Sequence, residues 1–506
     1  MKLGIIPYQE STDIVYSNVP QNREERRRPN LPQLEATHQI KSSVQSECFE
    51  FVRTEDIPLN RRHFVYRPCS ANPFFTTLGY GCTEYPFDHS GLSVMDRSDG
   101  LSITRDRNDL VSVPDQYGWR TARSDVCIKE GMTYWEVEVI RGGNVKCTPG
   151  VDNKERADDL VDKVQSGIYE KINKQVNETP HLRFGVCRRE AGLEAPVGFD
   201  AYGYGVRDIS LESIHEGKLN CVLENGSPLK EGDKIGFLLK LPSTAAQIKQ
   251  AKEFTKRRVL ALNSNVNTMN EPWREDTDNG PSRKKLKQET TNKEFERALL
   301  EDIEYDDVVR DQIAIRYKNQ LFFEATDYVK TTKPEYYSSD RREREDYYQL
   351  EDSFLAIFKN GKYVGKAFEN LKPFLPPFSE LQYNEKFYLG YWQHGEAREE
   401  SNDKGTTNVK KKKQQQKKKK GLILRNKYVN NNKLGYYPTI SCFNGGTARI
   451  ITEANKLEYL DQVKANCCVG RDSRVNTLDT LYKEQIAEDI VWDIIDELEQ
   501  IASTIT

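Results

Sequence analysis

Apolar and polar side chains alternate most clearly over Glu130–Val139. After Gly131, Tyr134, Glu136 and Glu138 fall on one face of a pleat and Trp135, Val137 and Val139 on the other. That pattern predicts a strand with one large apolar face and one mostly charged, wet face. Shorter runs of the same character recur between turn residues: Gly100–Thr104, Asp109–Val113 ahead of Pro114, Leu182–Cys187, Gly232–Leu239, Ala314–Tyr317, Leu321–Phe323, Phe354–Phe358, Tyr363–Gly365 and Tyr436–Phe443. Together they predict an all-β domain. Between two of these arms, Lys359-Asn360-Gly361-Lys362 predicts a two-residue hairpin turn, because both central positions favour φ > 0.

The period changes at the end of the chain. From Asn476 to Ile501 there is no Gly or Pro, and Ala487, Val491, Ile494, Leu498 and Ile501 follow at spacings of four and three, with Ile490 and Ile495 widening the stripe. This predicts an amphipathic helix over 476–503 with a broad apolar face.

Other stretches interrupt the β rhythm. Residues 1–65 are polar and proline-punctuated, with a basic cluster at Arg26-Arg27-Arg28, and read as a loosely ordered arm before a domain spanning 66–465. Within that domain, insertions near 142–179, 243–308 and 396–430 are charged or of low complexity, and are expected to be mobile surface loops.

Composition narrows the function classes. The 506 residues are 37% hydrophobic and 30% charged, with a formal net charge of -3, too small for a global attraction to nucleic acid. No apolar run reaches the roughly 18 residues of a membrane helix, and the opening Met1–Pro7 is shorter than a signal-peptide core, so an intracellular protein is expected. The ten cysteines contain no CxxC and the six histidines no HExxH. Neither a disulfide framework nor a metal centre is expected. With no GxSxG, no P-loop and no facing acids, the residues point to neither an enzyme nor a bound cofactor.

The order Tyr134–Val139, Arg183–Val186, Gly232–Phe237, Phe358–Gly361 and Tyr437–Ser441 resembles the strand motifs of a SPRY domain. That resemblance implies a bent antiparallel β-sandwich that binds other proteins through loops at one end. Ala195–Asp200, Tyr202–Arg207 and the acidic terminal helix are similar to the SPRY subunit of COMPASS, the trithorax-type complex that methylates lysine 4 of histone H3, in its budding-yeast form. The resemblance implies a nuclear, non-catalytic scaffold that orders a separate SET-domain subunit. Animal members carry an N-terminal zinc-binding and winged-helix module without counterpart here, so roles tied to that module are not expected.

The resemblance also implies site residues. Arg183 and Arg207, with Pro196, Phe199 and Trp119 as a wall, would receive an acidic, sometimes phosphorylated, segment of a WD-repeat partner; guanidinium forks suit carboxylate and phosphate. Ordinary surface ion pairs are the alternative for both arginines, and a place in the core for Trp119. The terminal helix carries eight carboxylates between Asp479 and Glu499 against Lys483 alone. Its stripe, Ala487, Ile490, Val491, Ile494, Ile495, Leu498 and Ile501, would dock into a small dimerising helical subunit, with Asp493 and Glu497 at the groove's rim, or else pack on its own domain. Arg283, Lys284, Lys285 and Lys287, and Lys410, Lys411, Lys412, Lys413, Lys417, Lys418, Lys419 and Lys420, are candidates for nuclear import or contact with nucleosomal DNA. Rival readings are a SPRY substrate receptor of a ubiquitin ligase and a jelly-roll hydrolase.

Overall fold

The computed structural model describes residues 35–41, 47–53, 65–71, 75, 80–81, 89–104, 107–143, 179–209, 211–221, 223, 227–254, 312–317, 320–325, 349–375, 432–467 and 474–505. The strands run β1 Glu35–Lys41, β2 Cys48–Arg53, β3 Val65–Pro68, β4 Ser70–Ala71, β5 Tyr80–Gly81, β6 Leu92–Arg97, β7 Ser102–Thr104, β8 Leu110–Ser112, β9 Arg120–Ser124, β10 Gly131–Arg141 and β11 His181–Cys187. They continue with β12 Gly203–Arg207, β13 Ser213–His215, β14 Lys218–Cys221, β15 Lys234–Leu241, β16 Gln312–Tyr317, β17 Gln320–Ala325, β18 Phe354–Lys359, β19 Lys362–Glu369, β20 Tyr437–Phe443, β21 Thr447–Ile451 and β22 Val475–Thr477. Helix α1 spans Leu460–Cys467 and α2 spans Leu478–Ile505.

Two antiparallel sheets face each other. One runs β1-β2-β7-β8-β21-β10-β15-β18-β19 and the other β14-β13-β12-β11-β20-β9-β6. The all-β class and the terminal helix read from the sequence are both present. Trp135, Val137 and Val139 of β10 meet Phe184 and Val206 of the second sheet in one continuous core, with Trp135 stacked 5.4 Å from Phe237. Lys359 pairs with Lys362 across the expected turn, and Asn360 and Gly361 hold φ of 48° and 77°.

The other face of β10 is not wet. Tyr134, Glu136 and Glu138 are all buried. A second apolar cluster, joining Tyr134 and Phe358 to Leu457, Leu460 and Val463, lies over that face. The Glu136 carboxylate accepts N–H bonds from Glu458 (3.1 Å) and Tyr459 (2.8 Å) and the Tyr134 hydroxyl (3.0 Å), so it satisfies donors at the start of α1.

Residues 35–41 and 48–53, expected in the loose arm, form the antiparallel pair β1 and β2, and β2 pairs with β7 to extend the large sheet. Burying Phe51 and Val52 outweighs the polar character of the flanks. A helix over residues 244–254, at the start of the second insertion, places Ala251 and Phe254 in the main core. Most of the three insertions lies outside the described residues.

Candidate functional site

Two surfaces carry the side chains singled out above. The first is at the end of the smaller sheet, where β11 pairs with β12 and places Arg183 directly opposite Arg207. The strands approach closely because Gly185 and Gly205 face each other: a Cβ on Gly185 would meet the Tyr204 carbonyl at 1.9 Å, and one on Gly205 would meet the Val197 carbonyl at 2.2 Å and Arg183 Cδ at 3.1 Å. Space that side chains would have filled is therefore given to the Arg183 stem and the Pro196–Val197 backbone.

Arg183 and Arg207 line one cavity of about 160 Å³ together with Trp119, His181, Asp208 and Phe443. The Arg183 guanidinium lies 5.2 Å from the centre of the Trp119 ring, and its Nη1 donates to the Val197 carbonyl at 3.4 Å. Its Nε is buried with no hydrogen-bond acceptor among the described residues. Burial, then the charge of Arg207, pulls the Arg183 pKa down to about 10, against the opposing pull of Asp208. Two like charges facing each other, one of them desolvated, are an arrangement that an incoming anion relieves. Arg207 is more exposed and donates to Glu212 at 3.0 Å.

The aromatic wall is continuous: Trp119 tilts against Phe443 at 5.3 Å, and Phe443 stacks on His181 at 6.2 Å. Trp119 is half-buried and lines the cavity. Pro196 and Phe199 do not line it; they close a turn in which the Phe199 N–H donates to the Pro196 carbonyl at 3.1 Å, and Phe199 is 55% exposed. Sequence reasoning passed over His181 and Asp208. The signal available was adjacency: His181 shares a strand face with Arg183 two residues on, and Asp208 follows Arg207.

The second surface is α2. Its first two turns belong to the core, with Leu478 and Tyr482 fully buried, which corrects the expectation that the whole helix stands apart from the sandwich. The face that they begin changes chemistry as it continues. Gln485 brackets the Cys127 backbone, donating to its carbonyl at 3.0 Å and accepting its N–H at 3.4 Å. Asp489 pairs with Lys433 at 3.1 Å and faces Arg67 at 3.9 Å, and Glu488 pairs with Lys129 at 3.4 Å. Burial lowers the Lys433 pKa, Asp489 opposes that, and Arg67 adds to it.

Asp493 and Glu497 are also buried, not held at a rim in solvent. The opposite stripe points outward. Val491 is 54% exposed, Ile494 48% and Leu498 60%, with Ala487 and Ile490 beside them and Ile495 and Ile501 half-buried. Helical period explains the inversion: 478, 482, 485, 489 and 493 share one side, and 487, 491, 494 and 498 lie nearly opposite.

Both basic runs, Arg283–Lys287 and Lys410–Lys420, lie outside the described residues. Among the described residues no cluster of His, Cys, Asp and Glu could hold a metal, and no helix is long and apolar enough to cross a membrane.

No protein-family model matches the chain. Among curated proteins it is 86% identical over 502 residues to COMPASS component BRE2 of Saccharomyces cerevisiae, covering 99% of both chains. It is 26% identical to COMPASS component cclA of Aspergillus fumigatus, over 93% of this chain and 64% of that one. It is 28% identical to Set1 complex component ash2 of Schizosaccharomyces pombe, over 89% of this chain and 47% of that one. Among solved structures, a human SPRY domain aligns with 69% of this chain and 96% of its own at 9% identity and a TM-score of 0.23, and the SPRY domain of human HERC1 aligns at 11% identity and 0.20; likeness at that level carries no weight.

Proposed function

The chain belongs to the family of COMPASS components represented by BRE2, and from that premise we propose that it is a non-catalytic scaffold and activating subunit of a nuclear histone H3 lysine-4 methyltransferase complex. It holds an acidic segment of a WD-repeat subunit in the Arg183–Arg207 cavity and a small helical dimer on the outer stripe of α2, and so orders a separate SET-domain subunit. The observation that carries the reading is the apolar stripe of Val491, Ile494 and Leu498, turned to solvent on a helix whose other side is fixed to the sandwich. A monomer has no use for such a stripe, and a helical groove does.

The cavity supports the first contact by its charge and size. A ubiquitin-ligase receptor role gains nothing from the family membership. The test is reconstitution. A SET-domain subunit assembled with the other core subunits should methylate histone H3 faster when this chain is added, and the chain alone should transfer no methyl group. Methylation by the isolated chain, or an unchanged rate on its addition, would overturn the proposal.

A further inference from the structure

The cavity that holds the two arginines also holds an ionisable pair. His181 Nδ1 lies 3.4 Å from Asp208 Oδ2, and His181 Nε2 shares a hydrogen bond of 2.9 Å with the Thr179 hydroxyl. Asp208 is fixed in place, since the same Oδ2 accepts the N–H of Leu182 at 2.8 Å and of Gly143 at 3.1 Å. His181 is stacked on Phe443, which lies tilted against Trp119 under the Arg183 guanidinium. The imidazole is thus held by strand, carboxylate and ring contacts at the floor of the site.

The charges of the described residues around this floor nearly cancel. Arg183 and Arg207 are opposed by Asp208 and by Glu212, the partner of Arg207. Across the turn that follows Phe443, Arg141 and Asp115 pair with each other at 2.9 Å and add no net charge. With His181 neutral, two guanidiniums face two carboxylates. With His181 protonated, one positive charge is in excess inside a half-buried cavity.

We infer that His181 sets the charge of this site, so that protonating it strengthens capture of an acidic peptide segment at the arginine pair. The inference rests on the proposed binding of an acidic segment there. His181 is a positioning residue in this account: it changes the field at the arginines and supports the aromatic wall.

The test uses the full chain and a short synthetic peptide of consecutive Asp and Glu residues. Its carboxylates stay ionised between pH 6 and 8, unlike a phosphate, so the peptide contributes no slope of its own. Calorimetric affinity for the wild type should rise about two- to fivefold from pH 8 to pH 6, the range that one added ion pair contributes at such a site. His181→Gln, which also gives up the ring's contact with Phe443, should show no such rise from pH 8 to pH 6, whatever its affinity at pH 8. A slope that survives in His181→Gln overturns the inference and leaves the arginine site standing, whereas unchanged affinity in Arg183→Ala overturns the site itself. Should His181→Gln unfold, the histidine ring resonances of the wild type decide: bound peptide must move the His181 titration midpoint to higher pH, because the linkage is reciprocal. An unmoved midpoint overturns the inference.

Discussion

Arg183 and Arg207 stand opposite one another on neighbouring strands and line the same cavity, offset among the described residues by Asp208 and Glu212. Like charges in that register cost stability. Arg183→Ala or Arg207→Ala should therefore leave the melting temperature unchanged or slightly raised. The same substitutions should weaken binding of an acidic peptide tenfold or more, since a hydrogen bond to a charged group contributes about 1.5–3 kcal/mol. Calorimetry and a thermal melt on each variant check both halves.

The two faces of α2 should separate stability from docking. Replacing Ile494 and Leu498 together by Asp should abolish capture of the helical dimer, at a loss of several kcal/mol, because each such side chain contributes roughly 1.5–3 kcal/mol when buried. The free chain should keep its melting temperature to within a few degrees, as Ile494 is already 48% and Leu498 60% exposed. Tyr482→Ala should do the reverse, costing about 3–5 kcal/mol of folding stability from the core. A pull-down alongside denaturant unfolding reads the two outcomes.

Lys433→Met should destabilise the fold by about 3–5 kcal/mol, because it removes the nearest cation from buried Asp489. Adding Asp489→Leu should restore much of the loss, since the desolvation of both charges then disappears. A double-mutant cycle by urea denaturation gives the coupling directly.

Asp125 carries a pH dependence of stability. Burial pushes its pKa up to about 7, against hydrogen bonds from the Gly91 N–H, its own N–H, Ser124 and Asn108. Its proton is held more tightly in the folded chain than in the unfolded one, so its contribution is full below about pH 4 and is lost as pH rises through 7, on the order of 4 kcal/mol in all. Asp125→Asn should flatten the fall in unfolding free energy between pH 5 and pH 8.

What the sequence made legible was whatever local pattern controls. The Trp135 face, the Asn360-Gly361 turn and the existence of α2 follow from periods of two or 3.6 and from the φ that a tight turn requires. What stayed hidden depends on remote segments. Glu136 reads as solvent-facing until residues 457–467 fold over it, and the β1–β2 pair reads as part of a polar arm until β7 offers it an edge. In α2 the acidic face reads as the wet one, because nothing near it in sequence announces Lys433 or Arg67. Of the proposed anion site, the two arginines could be named from their motifs, and Trp119 only as a candidate for its wall. His181 and Asp208 became visible only once β11 and β12 were in register.

The strand that precedes α2 gives the helix a fixed bearing. β22 runs parallel to the first part of β10, pairing Val475 with Met132 and Thr477 with Tyr134, while β21 occupies the remainder of the same edge. The end of the chain is thereby spliced into its middle, and α2 leaves the sheet as an outrigger with no swivel at its root. At ~1.5 Å per residue, Leu498 stands about 30 Å along the axis from Leu478. On the proposed reading, a partner clasped there would ride at a set reach and angle from whatever occupied the Arg183 cavity, and the spacing between the two would be a dimension of this one chain.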